Sequence, residues 1–163
     1  MKPSHHAGRL KQGFTMIELL VVMAILGVLA AAVLPLGETL VTAQKERDLR
    51  LALQEIRGAL DEYKRVMDQA SPASSGGSGY PPSLKALVEG TPDPRPSTRG
   101  KTLYFLRSVP RDPFTDSRLP AEQTWRLRSY ASPPDRPEPG VDVFDIHSSS
   151  NARALDGSLY ARW

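Results

Sequence analysis

The hydrophobic positions change period along the chain. Leu19–Leu36 reads LLVVMAILGVLAAAVLPL, eighteen residues without a charge or a strongly polar side chain. With residues 14–18 the segment is about 23 residues long, enough for a helix to cross a hydrocarbon layer of roughly 30 Å. Further on the apolar positions thin to a stripe. Leu49, Leu53, Ile56, Leu60, Tyr63 and Met67 recur at spacings of four, three, four, three and four, which is one face of an amphipathic helix. Lys45, Glu46, Arg47, Asp48, Arg50, Glu55, Arg57, Asp61, Glu62, Lys64 and Arg65 fill the positions between. They read as a solvated face, with opposite-charge contacts between neighbouring copies as the alternative. Pro35 is the only proline between Phe14 and Ser71. One helix of roughly 80 Å over residues 14–67, bent at Pro35, is therefore expected.

The second half is punctuated differently, with thirteen of the fifteen prolines from Pro72 onward. Ser71–Gly79 (SPASSGGSG) reads as a linker loop, since no G-K-S/T follows to make it a phosphate cradle. Tyr80-Pro81-Pro82-Ser83 opens a short helix over Leu84–Glu89, with Ser83 as cap and Gly90 as stop. Thr91–Arg99 reads as loop, Leu103–Leu106 as a short apolar piece, and Val109–Asp116 as a rigid turn region. Trp125–Tyr130 and Val141–Ile146 alternate and predict strands around a Pro133–Gly140 loop, with a last strand near Leu159–Trp163. The fold class that follows is α+β: a long N-terminal helix whose second half packs on a small antiparallel β-sheet. Ile56, Leu60, Tyr63, Trp125 and Phe144 are its expected core.

Charge sharpens the first segment. Of 21 basic and 18 acidic side chains, Lys2, Arg9 and Lys11 lie in residues 1–13 with no acid, leaving 18 of each sign elsewhere. The net charge of +3 thus sits in thirteen residues, and no basic surface remains for nucleic acid. A basic stretch before an apolar one places the N-terminus in the cytoplasm and the bulk outside. A cleavable signal cut after Ala32 and a retained anchor both fit this pattern, and the length of the apolar run favours the anchor. Without a cysteine the chain has no disulfide, thiolate metal site or cysteine nucleophile. Glu18 is the exception within the apolar segment, where a carboxylate costs on the order of 2.5–3.5 kcal/mol. No Lys, Arg or His lies between Phe14 and Gln44, so Glu18 either snorkels to the interface or finds a cation from outside the side chains of its own segment.

Gly13-Phe14-Thr15-Met16-Ile17-Glu18 followed by the apolar run resembles the prepilin motif of type IV pilins and type II secretion pseudopilins. The resemblance implies cleavage between Gly13 and Phe14 by a prepilin peptidase and N-methylation of Phe14. It also implies filament assembly through Phe14 and Glu18, a glycine within the membrane helix at Gly27, and a helix bend at Pro35. The new amine of one Phe14 is the cation that a neighbour's Glu18 lacks. The parts become a leader over 1–13, a transmembrane and assembly helix over 14–36, an amphipathic stem over 37–69 and an extracytoplasmic domain over 70–163. Further along, Tyr80-Pro81, the Leu84–Val88 helix, the R-D-P-F run at 111–114 and the Val141–Ser148 strand are similar in order to the major pseudopilin, pseudopilin G. A type IV pilin or a minor pseudopilin is the nearest alternative.

By that resemblance the chain polymerises into a periplasmic pseudopilus from the inner membrane and drives export of folded proteins across the outer membrane. The implied partners are the prepilin peptidase, copies of itself, minor pseudopilins, the inner-membrane assembly platform and lipid. Relatives of the major pseudopilin commonly bind calcium in an acidic C-terminal loop. Here Ser148–Ser158 holds one acid and one arginine, so Asp145 and Asp156 are weak calcium candidates and no cofactor is expected. No catalytic constellation stands out either. His5 and His6 fall in the leader, and His147 precedes Ser148-Ser149-Ser150, where neighbours on an extended segment point apart. The chain is expected not to be an enzyme.

Overall fold

The computed structural model describes residues 13–70, 77–95, 98 and 100–163. Its contacts divide the chain into two units, residues 1–40 and 41–163, both traversed by one helix. That helix, α1 (Met16–Ala70), is 55 residues long. Its backbone is helical at Pro35, but that side chain, where the bend was expected, lies outside the described residues. The leader up to Gln12 and the linker core over 71–76 also lie outside them.

In the first unit no side chain of the apolar run of α1 is buried within the protein among the described residues, and Phe14, Leu20, Leu26 and Leu36 are all exposed. A helix apolar on every side has no preferred face to turn inward, so it needs lipid or other helices around it.

In the second unit the stripe does what its period requires. Leu49, Leu53, Ile56, Leu60 and Tyr63 are buried, joined on the same face by Ala52 and Ala59, while Met67 is half-buried against them. Helix α2 (Ala86–Glu89) contributes Leu87, and Leu84 sits just before it. The Ser83 hydroxyl accepts a hydrogen bond from the Ala86 amide, and Gly90 ends the helix at φ +91°. A Cβ there would lie 2.5 Å from Thr102 Cγ2, so both conformation and space demand glycine.

The small antiparallel sheet comes in two pieces. β1 (Thr91–Pro92), within the stretch read as loop, pairs with β2 (Thr102–Leu103), which runs into the short apolar piece, and β3 (Trp125–Arg128) pairs with β4 (Asp145–Ser148). The register sets Trp125 opposite Ser148 and Leu127 opposite Ile146, and these pairs share the face that covers the stem.

Three expectations shift. The strand predicted from Val141 begins at Asp145: Val143 N–H donates to Pro81 O, away from β3, and Phe144 N–H reaches Arg128 O of β3 one residue out of the Arg128–Asp145 register, both at 2.8 Å. Phe144 is not in the core. It is half-buried in an edge-to-face cluster with Tyr80 and Tyr130, beneath the Arg128 guanidinium. The last strand is instead a 3-10 turn, Tyr160–Arg162, because Tyr160 turns inward and stacks on Phe114 at 4.0 Å. Tyr160, Val143 and Ile146 join the core, with Leu106, Val109, Trp125 and Ala154.

The R-D-P-F turn earns its rigidity from Asp112, which is buried. Its carboxylate accepts hydrogen bonds from Phe114 N–H and the Ser148 hydroxyl, and its own amide donates to Thr124 Oγ1. Ile146→Ala should therefore cost about 2–5 kcal/mol of unfolding free energy in denaturant titration. Val141→Ala, inside the predicted strand but 88% exposed, should stay within about 0.5 kcal/mol. Equal costs would contradict the observed register.

Candidate functional site

At the start of α1, Thr15 caps the helix. The Glu18 amide donates to Thr15 Oγ1 at 3.3 Å, and Leu19 N–H donates to Thr15 O at 3.2 Å. Thr15-Met16-Ile17-Glu18 is thus the T-x-x-E signature of a helix start, with Glu18 in the first turn where the helix dipole favours an anion. The spacing was readable from sequence and adds a second reason for a carboxylate at this position. Gly13 precedes the helix with nothing within 4 Å of where a Cβ would stand, and Phe14 is 85% exposed. The junction between them lies outside regular secondary structure, with open space at Gly13, just before an apolar helix. Gly27 likewise has open space around it.

The weak calcium candidates, Asp145 and Asp156, each have hydrogen-bond donors of their own. Asp145 Oδ1 accepts hydrogen bonds from Arg57 Nε and the Ile146 amide, each at 2.8 Å. Asp156 closes its own turn, accepting the Ser158 amide at 2.8 Å and hydroxyl at 2.6 Å, which lowers its pKa.

Two stem residues assigned to the solvated face prove structural. Glu46 is buried and accepts from Leu155 N–H at 2.7 Å and the Tyr160 hydroxyl at 3.0 Å. Burial, that hydrogen bond and the Glu46 charge push the Tyr160 phenol up to about 12. Arg57 is half-buried and donates to Asp145, to Ile146 O at 3.0 Å and to Trp163 O at 2.6 Å. A signal for Glu46 existed: it stands three residues before Leu49 and so extends the apolar stripe by one step.

The triple serine is engaged structurally. Ser148 donates to Asp112, Ser149 donates to Thr124 O, and Ser150 accepts from Ala152 N–H. Neither ring nitrogen of His147 has a hydrogen-bond partner among the described residues, and Nε2 stands 3.7 Å from Asp145 Oδ2. Burial holds the imidazole below its ordinary pKa of 6.5; Asp145 opposes that shift, while Arg57, Arg128 and Arg126 add to it.

A prokaryotic N-terminal methylation motif matches residues 8–34, across the Gly13-Phe14 junction and Glu18. The type II secretion system core protein G of Pseudomonas aeruginosa is 36% identical over 107 residues, 65% of this chain and 70% of that protein. Its namesake in Vibrio cholerae is 30% identical over 141 residues, 85% of this chain and 81% of the relative. The chain belongs to the type II secretion system core protein G family. Another member, from Pectobacterium carotovorum, is 36% identical over 118 residues, 69% of each chain. No solved structure matches. The pseudopilin G-like reading of the sequence is borne out, as is the α+β, pilin-like class.

For this core protein G family member the His147 environment sets a pH dependence. The unfolded imidazole takes a proton near its ordinary value and the folded one only at lower pH, so stability falls as pH drops below about 6.5. Lowering pH from 7 to 5 should reduce the urea midpoint more in the wild type than in His147→Gln. Equal losses would assign the acid sensitivity to other groups.

Proposed function

We propose that this pseudopilin is cut between Gly13 and Phe14 by a prepilin peptidase, N-methylated at Phe14 and held in the bacterial inner membrane by residues 14–36. The stem over 37–69 and the domain over 70–163 then lie in the periplasm, where copies polymerise into a pseudopilus. Its growth pushes folded proteins through an outer-membrane channel. Minor pseudopilins and the inner-membrane platform are its assembly partners. The chain carries no chemistry itself, and force comes from outside it.

One observation carries this reading. The helix start presents an apolar surface with no buried side, a single carboxylate at Glu18, and no basic residue from Gly13 to Gln44. Cleavage after Gly13 creates an ammonium group beside that surface. In hydrocarbon the amine of one subunit and the Glu18 carboxylate of another neutralise each other, and a subunit entering out of register leaves a charge unpaired. Phe14 supplies an apolar anchor next to the pair. The basic leader keeps the uncut terminus cytoplasmic, which puts the cut site where an inner-membrane peptidase reaches it.

Glu18→Val should insert and be cleaved normally yet reduce pseudopilus yield about tenfold or more, since each 1.4 kcal/mol of lost pairing is a factor of ten. Filaments counted by electron microscopy at matched expression check this, and wild-type yield would sink the pairing. A bulky residue at Gly13 should leave the uncut precursor in the membrane, visible as a slower band by immunoblot.

A further inference from the structure

The family resemblance brings with it the question of a calcium ion in the C-terminal loop, and the residues present do not fit one. A hard dication takes six to eight oxygens, several of them carboxylates. Ser148–Ser158 offers only Asp156, which is committed to Ser158 in its own turn. Neutral oxygens of the loop already face guanidinium groups: Gly157 O accepts from Arg153 at 2.9 Å and Asn151 Oδ1 from Arg126 at 3.4 Å. Among the described residues no group of three or more His, Cys, Asp or Glu side chains converges.

What gathers oxygens instead is a stem side chain. The Arg57 guanidinium reaches Asp145 Oδ1, Ile146 O and Trp163 O, at 2.8, 3.0 and 2.6 Å, from two segments that are distant from each other in sequence. Two turns earlier, Arg50 lies over the Trp163 ring, 4.1 Å from its centroid, and 3.5 Å from Glu46 Oε2. Glu46 in turn holds Leu155 N–H and the Tyr160 hydroxyl. We propose that Arg57 is the resident cation of this C-terminal segment. Together with Glu46 it fixes the 145–163 region to the stem, so that the region folds without calcium. The planar fork of donors suits several oxygens at once. Because it belongs to the helix, its occupancy does not depend on ion concentration, whereas a bound ion stabilises by mass action.

The test uses the full chain in detergent micelles, followed by thermal unfolding and by hydrogen exchange over residues 145–163, in excess EGTA and in millimolar calcium. The wild type should show the same midpoint within about 1 °C and the same exchange in both buffers. Arg57→Met should exchange faster at 145–148 and 159–163, with no restoration by calcium. Arg57→Lys, which keeps a charge but not the fork, should fall between. A calcium-dependent rise in the wild-type midpoint, or slower wild-type exchange in calcium, overturns the proposal even if Arg57→Met fails to fold. Wild-type protection in either variant also overturns it. Neither readout involves processing or assembly, so the result is independent of the filament reading.

Discussion

A single helix of 55 residues changes from apolar on every side to apolar on one side, and the rest of the molecule follows from that. Its first half is apolar on every side, which makes it insoluble alone and comfortable only in hydrocarbon or among copies of itself. Its second half is apolar on one side, so it needs a cover, and the two small ladders with their connecting turns are that cover. The domain is therefore small because it has one stripe to bury, from Leu49 to Tyr63. Under the proposed membrane anchoring and assembly, Glu18 would give an otherwise featureless apolar surface a preferred register, since a lone charge in hydrocarbon is tolerated only when paired.

The cover is fastened by polar groups as much as by apolar ones. Asp112 anchors the turn before β3, while Glu46 and Arg57 reach from the stem to the last twenty residues. Such bonds are directional, so they fix where an otherwise loop-rich segment lies. The buried Glu46 and Asp112 carboxylates are each satisfied by named donors, which is the condition for burying them without a large penalty. The charged side of the stem is thus not uniform: some of its charges face solvent and two of them hold the domain.

Strongly periodic features were legible in the sequence. The apolar run, the stripe from Leu49 to Tyr63, the Gly90 stop and the pairing of a strand at Trp125 with one near Ile146 all follow from spacing. The misses have physical reasons. Phe144 satisfies the alternation rule but stacks on Tyr80 and Tyr130, a tertiary choice that no local pattern records. Leu159–Trp163 has strand-like composition, yet the inward turn of Tyr160 toward Phe114 and Glu46 bends it into a 3-10 turn. Arg57 looked like any surface arginine because its partners lie some ninety or more positions away. At the N-terminus the motif residues were all visible, and only the capping role of Thr15 was overlooked.

The central claim is that this helix begins its working life at Phe14. The measurement that tests it most directly is the mass of the intact protein and of its terminal peptide, recovered from the membranes of cells that contain the prepilin peptidase. A chain starting at N-methylated Phe14 is the expected result. A chain starting at Val33 in a soluble fraction, or one retaining Met1 in the membrane, would contradict it.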